Sequence, residues 1–324
     1  MPLAASPTWL VVDEESAGQR LDNYLVRLLK GVPKTRIYRM IRSGEVRVNG
    51  KRAAVGDRLE VGAALRLPPV RVAQAESKPA MAPAREPPIL WEDDVLLAID
   101  KPSGLAVHGG SGVRFGVIEQ LRAARPAQRF LELVHRLDRD TSGVLLVSKK
   151  RSVLTHLHEQ FRNRQTAKTY LAMVRGPWPQ TLRVLDSPLR TLPAGDNGER
   201  RVCIATTEDP YARESLTLVR VCAACAEYSL LEVQIKTGRM HQIRVHLAAQ
   251  GHPILGDDKY GDFALNKALA AAYPGLRRCF LHAWRLRFLH PRSGERMSLV
   301  ADLPEELQAF VAAAFPALPP LAAS

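Results

Sequence analysis

Two short amphipathic helices are predicted near the start of the chain from the spacing of its apolar residues. In each segment, apolar side chains recur three and four positions apart, which places them on one face of a helix. They are Leu21, Tyr24, Leu25 and Leu28 in the first segment, and Ile37, Met40 and Ile41 in the second. Gly44 follows the second segment and is a typical helix stop.

A β-hairpin is predicted directly after these helices. In the stretch "GEVRVNGKR", Val46 and Val48 alternate with charged residues, as expected of a strand with one buried face. The Asn49-Gly50 pair that follows favours the tight turn of a two-residue hairpin. The first part of the chain therefore combines two helices with a small sheet.

A segment without apolar periodicity separates this region from the rest of the chain. Residues 71–88, "RVAQAESKPAMAPAREPP", are rich in Pro and Ala and are predicted to form a semi-extended linker. The chain is therefore expected to consist of a small domain at residues 1–70, the linker, and a larger domain at residues 89–324.

Strands and helices follow in mixed order in the larger domain. Apolar runs favour strands at residues 93–108, 143–150 and 168–176. Helical stripes occur at Val153, Leu154, Leu157 and Phe161, and again at Ile243 and Leu247 ahead of Gly251. Residues 184–201 show no regular pattern and are predicted to form an exposed excursion. The mixed order predicts an α+β fold class with a mixed β-sheet.

Composition narrows the class of protein without identifying it. Hydrophobic residues make up 46% of the 324 residues, which is ordinary for a globular protein. No run of about eighteen apolar residues occurs that could span a bilayer, so no membrane association is expected. The N-terminus lacks the pattern of a secretory signal and the chain has 4 cysteines. Both features favour a cytoplasmic location.

The net charge of +13 indicates a polyanionic partner, and the small domain is charged out of proportion to its length. Residues 20–58 contain 11 basic and 3 acidic residues, counted from the sequence. Many of the basic residues lie off the apolar stripe of the second helix or on the hairpin, where phosphates could reach them. We expect RNA-binding contacts from Lys34, Arg36, Arg39, Arg42, Arg47, Lys51 and Arg52.

Three motifs that resemble cofactor or metal sites are incomplete. The glycine-rich "HGGSGVRFG" lacks a full dinucleotide fingerprint and is interpreted as a loop. Cys222 and Cys225 have metal-ligand spacing but no second pair accompanies them. His156 and His158 lie two positions apart on a predicted helix and face different directions. No metal and no cofactor are therefore expected.

A cluster of five ionisable residues within six positions, "HRLDRD" at residues 135–140, lies between two apolar segments. Charges brought close to a core must find partners or take part in chemistry. One interpretation is a structural turn in which Asp138 and Asp140 cap neighbouring backbone amides. The other is an active site, and the residue types alone leave both open.

The order of motifs along the chain is similar to two known families. "RLDNYL…GEVRVNG…GDRL", over roughly residues 18–68, resembles the S4 RNA-binding module of αL type. "HRLDRDTSG" resembles the signature of the RluA family of pseudouridine synthases. Further blocks of that family follow the same order: "DKPSGLAVH", "KTYLAMVRG", "TGRMHQIRVHLAAQGHPILGD" and "FLHAWRLRFLHP". Asp100 and Met240 stand where many members have Asn and Thr.

The resemblance implies an enzyme that isomerises uridine to pseudouridine in RNA without a cofactor. It is strongest to the branch that acts on 23S ribosomal RNA, so the expected partner is that RNA or a pre-ribosomal particle, bound by a monomer. Carried over by motif, Asp138 is the essential aspartate, Tyr170 the active-site tyrosine, and Arg244 the arginine that pairs with Asp138. Arg136 would fill the gap left by a flipped uridine, and His135 would fix the loop.

Two alternatives remain open on the sequence. One is a transfer-RNA pseudouridine synthase of the same family. The other is a non-catalytic RNA-binding assembly factor, in which an S4 module accompanies an inactive domain. Intact Asp138, Tyr170 and Arg244 favour the enzyme.

Overall fold

The computed structural model describes residues 7–14, 16–29, 31–70, 81–110, 113–193, 200–273 and 276–319. The chain divides into two compact units, residues 1–81 and residues 82–324. The predicted linker at residues 71–88 lies partly outside the described residues. None of the helices in the described ranges is both long enough and apolar enough to cross a bilayer.

The N-terminal unit contains two helices and a four-stranded antiparallel sheet. Its elements are β1 (Thr8–Val11), α1 (Leu21–Leu28), α2 (Lys34–Ser43), β2 (Arg47–Val48), β3 (Lys51–Arg52) and β4 (Ala64–Leu67). The strands are arranged in the order β1-β4-β2-β3. The two predicted helices are confirmed, and Gly44 ends α2 in the left-handed conformation, with φ 77°.

The predicted hairpin is also confirmed. Val48 pairs with Lys51 across it, and Asn49 and Gly50 both have positive φ, 50° and 74°. Two successive positive φ values define the type I′ turn that suits a two-residue hairpin. Leu28, on the predicted apolar face of the first helix, is 40% exposed, whereas the next residue, Leu29, is buried.

The C-terminal unit is built on a ten-stranded mixed sheet, which confirms the predicted α+β class. The strands of this unit are β5 (Ile89–Glu92), β6 (Leu96–Lys101), β7 (Glu132–Leu133), β8 (Ser142–Ser148), β9 (Ala167–Arg175), β10 (Val184–Leu185), β11 (Leu189–Thr191), β12 (Val202–Ile204), β13 (Thr217–Ala224), β14 (Tyr228–Ile235), β15 (Leu281–Leu289) and β16 (Arg296–Val300). The main path of the large sheet has the order β10-β13-β14-β9-β15-β8-β6-β5, with β16 paired to β15 and β7 paired to β8. A separate two-stranded sheet consists of β11 and β12.

Helices cover the faces of the large sheet. They are α3 (Val117–Ala124), α4 (Arg151–Arg162), α5 (Gln242–Ala249), α6 (Phe263–Ala272) and α7 (Glu305–Ala314). Alternate residues of β8 pack into two different apolar clusters: Leu145 and Val147 into one, Val144 and Leu146 into the other. A strand buried on both faces needs an unbroken apolar run, which explains "GVLLVS" in the sequence.

Two sequence-based predictions need correction. The predicted strand at residues 93–108 is regular only over β6, because Pro102 cannot donate a ladder hydrogen bond and the chain turns after it. The segment at 184–201, predicted to be irregular, contributes β10 and β11 to paired sheets. Residues 194–199 lie outside the described ranges.

Candidate active site

The polar cluster of the sequence forms a loop between β7 and β8. Thr141 closes a turn in this loop by donating its backbone N–H to the carbonyl of Asp138, at 3.2 Å. Gly143, the last residue of the "HRLDRDTSG" motif, has φ 108°, and a Cβ there would lie 2.3 Å from the carbonyl oxygen of Ala283. Only glycine therefore lets β8 approach its parallel neighbour β15 and hold the loop above that junction.

Buried donors hold the backbone of this loop in place. Lys101 is fully buried, and its Nζ donates to the carbonyls of Pro102 and Leu105, both at 2.8 Å, and to that of Arg139 at 2.9 Å. The hydroxyl of Ser103 donates to the carbonyl of Asp140 at 2.8 Å. Burial lowers the pKa of Lys101 to about 7. The loop is therefore fixed by groups from β6 and the turn after it.

A cavity of about 280 Å³ opens beside the loop and brings the predicted catalytic residues together. Asp138, Tyr170 and Arg244 all line it, although they come from a loop, a strand and a helix far apart in the sequence. His135 and Arg136 line the same cavity. We call this space the Asp138 cavity. Its volume is adequate for one nucleotide base with part of its sugar.

Asp138 lies close to two nitrogen atoms in this cavity without a short hydrogen bond to either. Its Oδ2 is 3.8 Å from Nη1 of Arg244 and 4.0 Å from Nε2 of His241. The side chain of Asp138 is 28% exposed to the cavity mouth. Within the described chain, the carboxylates of Asp138 and Asp140 accept no backbone amide hydrogen bond; Asp140 instead pairs with Arg139 at 3.3 Å. The predicted alternative of a capping turn is therefore not formed.

The closest partner of Arg244 is Asp257, which the sequence analysis did not single out. Nε and Nη2 of Arg244 each donate to Asp257 at 2.7 Å, and Nη2 also reaches Asp258 at 3.0 Å. Burial disfavours the charge on Arg244, but the hydrogen bonds to Asp257 outweigh burial and raise its pKa. Arg244 therefore remains charged, and its orientation toward Asp138 is set by a buried bidentate pair.

His241 is a second residue of the site that sequence reasoning did not single out. It precedes α5 in the left-handed conformation, with φ 53°, which turns its ring toward Asp138. Nδ1 lies 2.8 Å from the hydroxyl of Tyr260, and that hydroxyl accepts the backbone N–H of Val202 at 2.9 Å. The Tyr260 hydrogen is then free to bond Nδ1, and when it does, the proton of a neutral His241 lies on Nε2, the nitrogen nearest Asp138.

Burial lowers the pKa of His241, against the opposing effect of Asp138. The lowered pKa favours the neutral ring, whose Nε2 lies 4.0 Å from the Asp138 carboxylate. The signal for His241 and Asp257 was present in the sequence block "TGRMHQIRVHLAAQGHPILGD", but spacing alone does not show which of its polar residues face the cavity.

Tyr170 is positioned by β9 and forms the inner wall of the cavity. Only 8% of the residue is exposed. Burial, followed by the charge of Asp138, raises the pKa of its hydroxyl, so the phenol stays protonated. Its flat ring and neutral hydroxyl are suited to contact a base that enters the cavity.

His135 and Arg136 occupy different surroundings at the start of the loop. Nε2 of His135 accepts the backbone N–H of Leu146 at 3.1 Å, and the ring stacks on Phe161 with centroids 5.3 Å apart. Burial lowers the pKa of His135 to about 3, so the ring is neutral. Arg136 is exposed at the cavity edge.

The predicted RNA-binding residues of the N-terminal unit are mostly exposed. Arg36 is the exception, because its two terminal nitrogens bond Glu45 at 3.0 and 2.7 Å. The others are exposed and lie on α2 or the hairpin: Lys34, Arg39, Arg42, Arg47, Lys51 and Arg52.

A row of side chains crosses the outer face of the N-terminal sheet. Arg47 pairs directly with Arg52 on one side and with Arg66 on the other, and Arg66 pairs with Trp9. Directly paired residues project to the same face, so three guanidinium groups and an aromatic ring that is 58% exposed lie side by side. Like charges placed opposite each other are destabilising unless an anion neutralises them. Arg66 and Trp9 were not among the predicted RNA-binding residues.

Two family models match separate parts of the chain. A model described as "RNA pseudouridylate synthase" matches residues 95–249, and a model described as "S4 domain" matches residues 19–65. The first match contains Asp138, Tyr170, His241 and Arg244.

Curated relatives match almost the whole chain. A Haemophilus influenzae protein named "Ribosomal large subunit pseudouridine synthase C" is 47% identical over 312 residues, covering 95% of this chain and 95% of its own. An Escherichia coli protein of the same name is 50% identical over 305 residues, covering 92% of this chain and 94% of its own.

Solved structures with the same fold include two human proteins. "Human RNA Pseudouridylate Synthase Domain Containing 4" superposes with a TM-score of 0.56 at 28% identity, covering 69% of this chain and 91% of its own. "Human RNA Pseudouridylate Synthase Domain Containing 1" gives a TM-score of 0.53 at 26% identity, covering 67% and 83%.

Proposed function

The chain belongs to the RNA pseudouridine synthase family, as its motifs predicted, and we propose that it converts uridines of the 23S ribosomal RNA into pseudouridine. The substrate is inferred from two relatives that are about half identical to this chain over nearly its full length. Both are named for the large ribosomal subunit. The Asp138 cavity supplies the chemical groups that this reaction needs.

Pseudouridine formation exchanges one bond between base and sugar for another. The bond between N1 of uracil and C1′ of ribose breaks, the base turns, and C5 bonds to C1′ as the C5 proton is lost and N1 gains one. Atoms are conserved and no electrons are gained or lost overall. The residues must therefore stabilise charge on the sugar and on the base, and hold the detached base in the cavity.

Asp138 is the residue suited to the sugar. Its carboxylate can attack C1′ or stabilise the positive charge that develops there, as carboxylates do in glycosidases. Its Oδ2 has no short hydrogen bond within the described residues, so its lone pairs are available to C1′. Arg244 and His241 both lie on one side of Asp138 and present a guanidinium group and a ring nitrogen to this oxygen, at 3.8 and 4.0 Å.

The other predicted residues have roles that fit their surroundings. Tyr170 stacks against the uracil and keeps a protonated hydroxyl near it. Arg136, exposed at the cavity edge, enters the space that the flipped uridine leaves in the RNA. His135 fixes the start of the loop through its bond to the backbone of Leu146.

The N-terminal unit would hold the RNA through phosphates, while the C-terminal unit performs the reaction. This is the division into an S4 domain at residues 1–70, a linker at 71–88 and a catalytic domain at 89–324. The exposed arginines of α2 and of the sheet row support it. The protein would act as a monomer in the cytoplasm, on 23S RNA or on a particle that contains it.

Mapping pseudouridines in ribosomal and transfer RNA, with and without the gene, tests the substrate. We expect specific positions of 23S RNA to lose pseudouridine when the gene is deleted. They should regain it with the wild-type gene and not with Asp138→Asn. Loss of pseudouridine only from transfer RNA would contradict the proposal, and so would complementation by Asp138→Asn, which would indicate a non-catalytic assembly role.

A further inference from the structure

Lys168 lines the Asp138 cavity. None of the roles proposed above for the neighbouring residues uses its positive charge. It lies on β9 two residues before Tyr170, and both line the cavity. Side chains two positions apart on a strand project to the same face. The amine of Lys168 is thus on the side of the cavity where the base would stack, whereas Asp138 is on the loop.

The surroundings hold Lys168 in place without neutralising it. Its Nζ is 5.6 Å from the centre of the Phe161 ring, and a Cβ on Gly238 would lie 3.5 Å from it. Phe161 itself is fixed by stacking on His135. Burial lowers the pKa of Lys168, and no carboxylate of the described chain contributes to the shift. A partly buried cation without a neutralising carboxylate costs free energy, which an anionic ligand would recover.

The reaction itself generates an anion on this side of the cavity. When the C1′–N1 bond breaks, its electron pair stays on the base, and the negative charge spreads over N1, O2 and O4 of the uracil ring. Enzymes gain most from donors aimed at the place where charge develops. Arg244 and His241 both face Asp138, on the sugar side, so neither serves the base.

We propose that Lys168 is a catalytic residue whose ammonium group donates a hydrogen bond to a uracil carbonyl oxygen and stabilises the departing base anion. The same contact holds the base while it turns. C5 then forms its bond to C1′, the C5 proton leaves to solvent, and N1 takes up a proton. Lys168 keeps its own protons throughout. This inference rests on the proposed function, because it concerns the same cavity.

A backbone phosphate is the alternative anion for Lys168. A flipped nucleotide enters its pocket base first, and its phosphate stays with the RNA strand outside. Arg136 and Arg239 also line the cavity and are more exposed than Lys168, so they are better placed for that phosphate. The partly buried position of Lys168 favours the base.

Lys168→Met and Lys168→Arg are the variants that test the proposal, with Lys267→Met on exposed α6 as the matched control. At saturating RNA, we expect Lys168→Met to lower the single-turnover rate about 10²- to 10³-fold, the usual cost of losing one charge-stabilising donor. Affinity for RNA and its salt dependence should not change. Lys168→Arg should recover part of the rate, and Lys267→Met should match the wild type.

A second measurement uses RNA that carries 5-fluorouridine at the target position. Fluorine withdraws electrons and makes the base a better leaving group, so it needs less help from Lys168. We expect the defect of Lys168→Met, measured as loss of 5-fluorouridine after digestion of the RNA, to shrink by about tenfold or more. A purely structural role for Lys168 would give the same defect with both bases.

Three results would overturn the inference. The first is a wild-type rate for Lys168→Met, and the second is an equal rate defect of this variant with uridine and 5-fluorouridine. The third is weaker RNA binding by Lys168→Met, with the slope of log affinity against log salt reduced by about 0.7 to 0.9, which would identify a phosphate contact instead. Failure of the proposed function is a different result, because the wild-type protein would then form no pseudouridine in 23S RNA.

Discussion

The two units of this protein use positively charged side chains in opposite ways. In the N-terminal unit, Arg47 and Arg52 are exposed and lie directly beside each other across the hairpin. In the C-terminal unit, Arg244 is 4% exposed and is bound by Asp257, which is fully buried. The first arrangement leaves charge available to a partner. The second arrangement fixes charge at one point.

The two arrangements differ because one set of guanidinium groups is exposed to water and the other is buried. An exposed guanidinium group is screened by water and salt, so it attracts phosphates over a surface but does not define a geometry. A buried guanidinium group must be paired, and a bidentate pair with a carboxylate fixes its position and orientation. Binding RNA requires exposed charge, and the proposed alignment of Asp138 with C1′ of a ribose requires a charge fixed in position.

The largest expected effect separates chemistry from binding. Asp138→Asn should lower the single-turnover rate by at least about 10⁴-fold, because the neutral amide cannot attack C1′ or stabilise positive charge there. RNA affinity should be nearly unchanged. Asp140→Asn, two residues away and paired with Arg139, is the matched control and should be much milder. Tritium release from 5-tritiated uridine in RNA measures both, and an active Asp138→Asn would exclude the assigned role.

The next effect compares a buried ion pair with an exposed one. Asp257→Asn leaves Arg244 charged and poorly compensated, so we expect the free energy of unfolding to fall by about 3 to 5 kcal/mol. Glu45→Gln removes the partner of Arg36, a pair about one third exposed, and should cost no more than about 1 kcal/mol. Denaturant unfolding of both variants measures the difference. Equal losses would show that Arg244 is not held as the structure shows.

The third effect concerns pH and Lys168. Its pKa in the folded protein lies below the usual 10.5, so its charge is lost as pH rises through that lowered value. Above that pH the rate should fall about tenfold per pH unit. Among the titratable and charged groups that border Lys168, His135 is already neutral, burial raises the pKa of Tyr170, and burial lowers the pKa of Arg285 from its ordinary 12.5. Lys168→Arg should shift the fall to higher pH, and an unshifted profile would assign it to another group.

The smallest effect tests the row on the N-terminal sheet. Replacing both Arg47 and Arg52 with Ser should reduce the slope of log affinity against log salt by about 0.7 to 0.9 for each phosphate that is no longer bound. The rate at saturating RNA should remain normal. Because the repulsion between neighbouring like charges is removed, stability should rise by a few tenths of a kcal/mol. An unchanged salt slope would move the RNA contact to another surface, such as the exposed Arg39 and Arg42 of α2.

Local patterns in the sequence were sufficient for much of the fold. The i, i+3, i+4 spacing placed α1 and α2, and Asn49-Gly50 placed the hairpin, because these features depend on neighbouring residues. The same logic placed Leu28 in the core, but α1 ends there and Leu29 turns inward instead. Helix ends depend on tertiary packing that periodicity does not contain.

Residues of the candidate site could be predicted from the sequence only where they occupy a position in a family motif. Asp138, Tyr170 and Arg244, which line one cavity in the structure, were named because they lie in recognisable blocks. The bidentate pairing of Arg244 with Asp257 and the orientation of His241 by Tyr260 depend on residues 13 and 19 positions apart that the fold brings together. Lys101 and Lys168 resemble surface lysines in the sequence, and only their burial in the structure gives them a role.

The most direct test of the division of labour is the single-turnover rate, at saturating RNA, of a chain that lacks residues 1–70. Asp138, Tyr170, Lys168 and Arg244 all lie in the C-terminal unit. We therefore predict a rate within about threefold of the full-length protein, with the loss confined to affinity and its salt dependence. A normal affinity combined with a rate as low as that of Asp138→Asn would contradict the account, because it would place the N-terminal unit in the reaction itself.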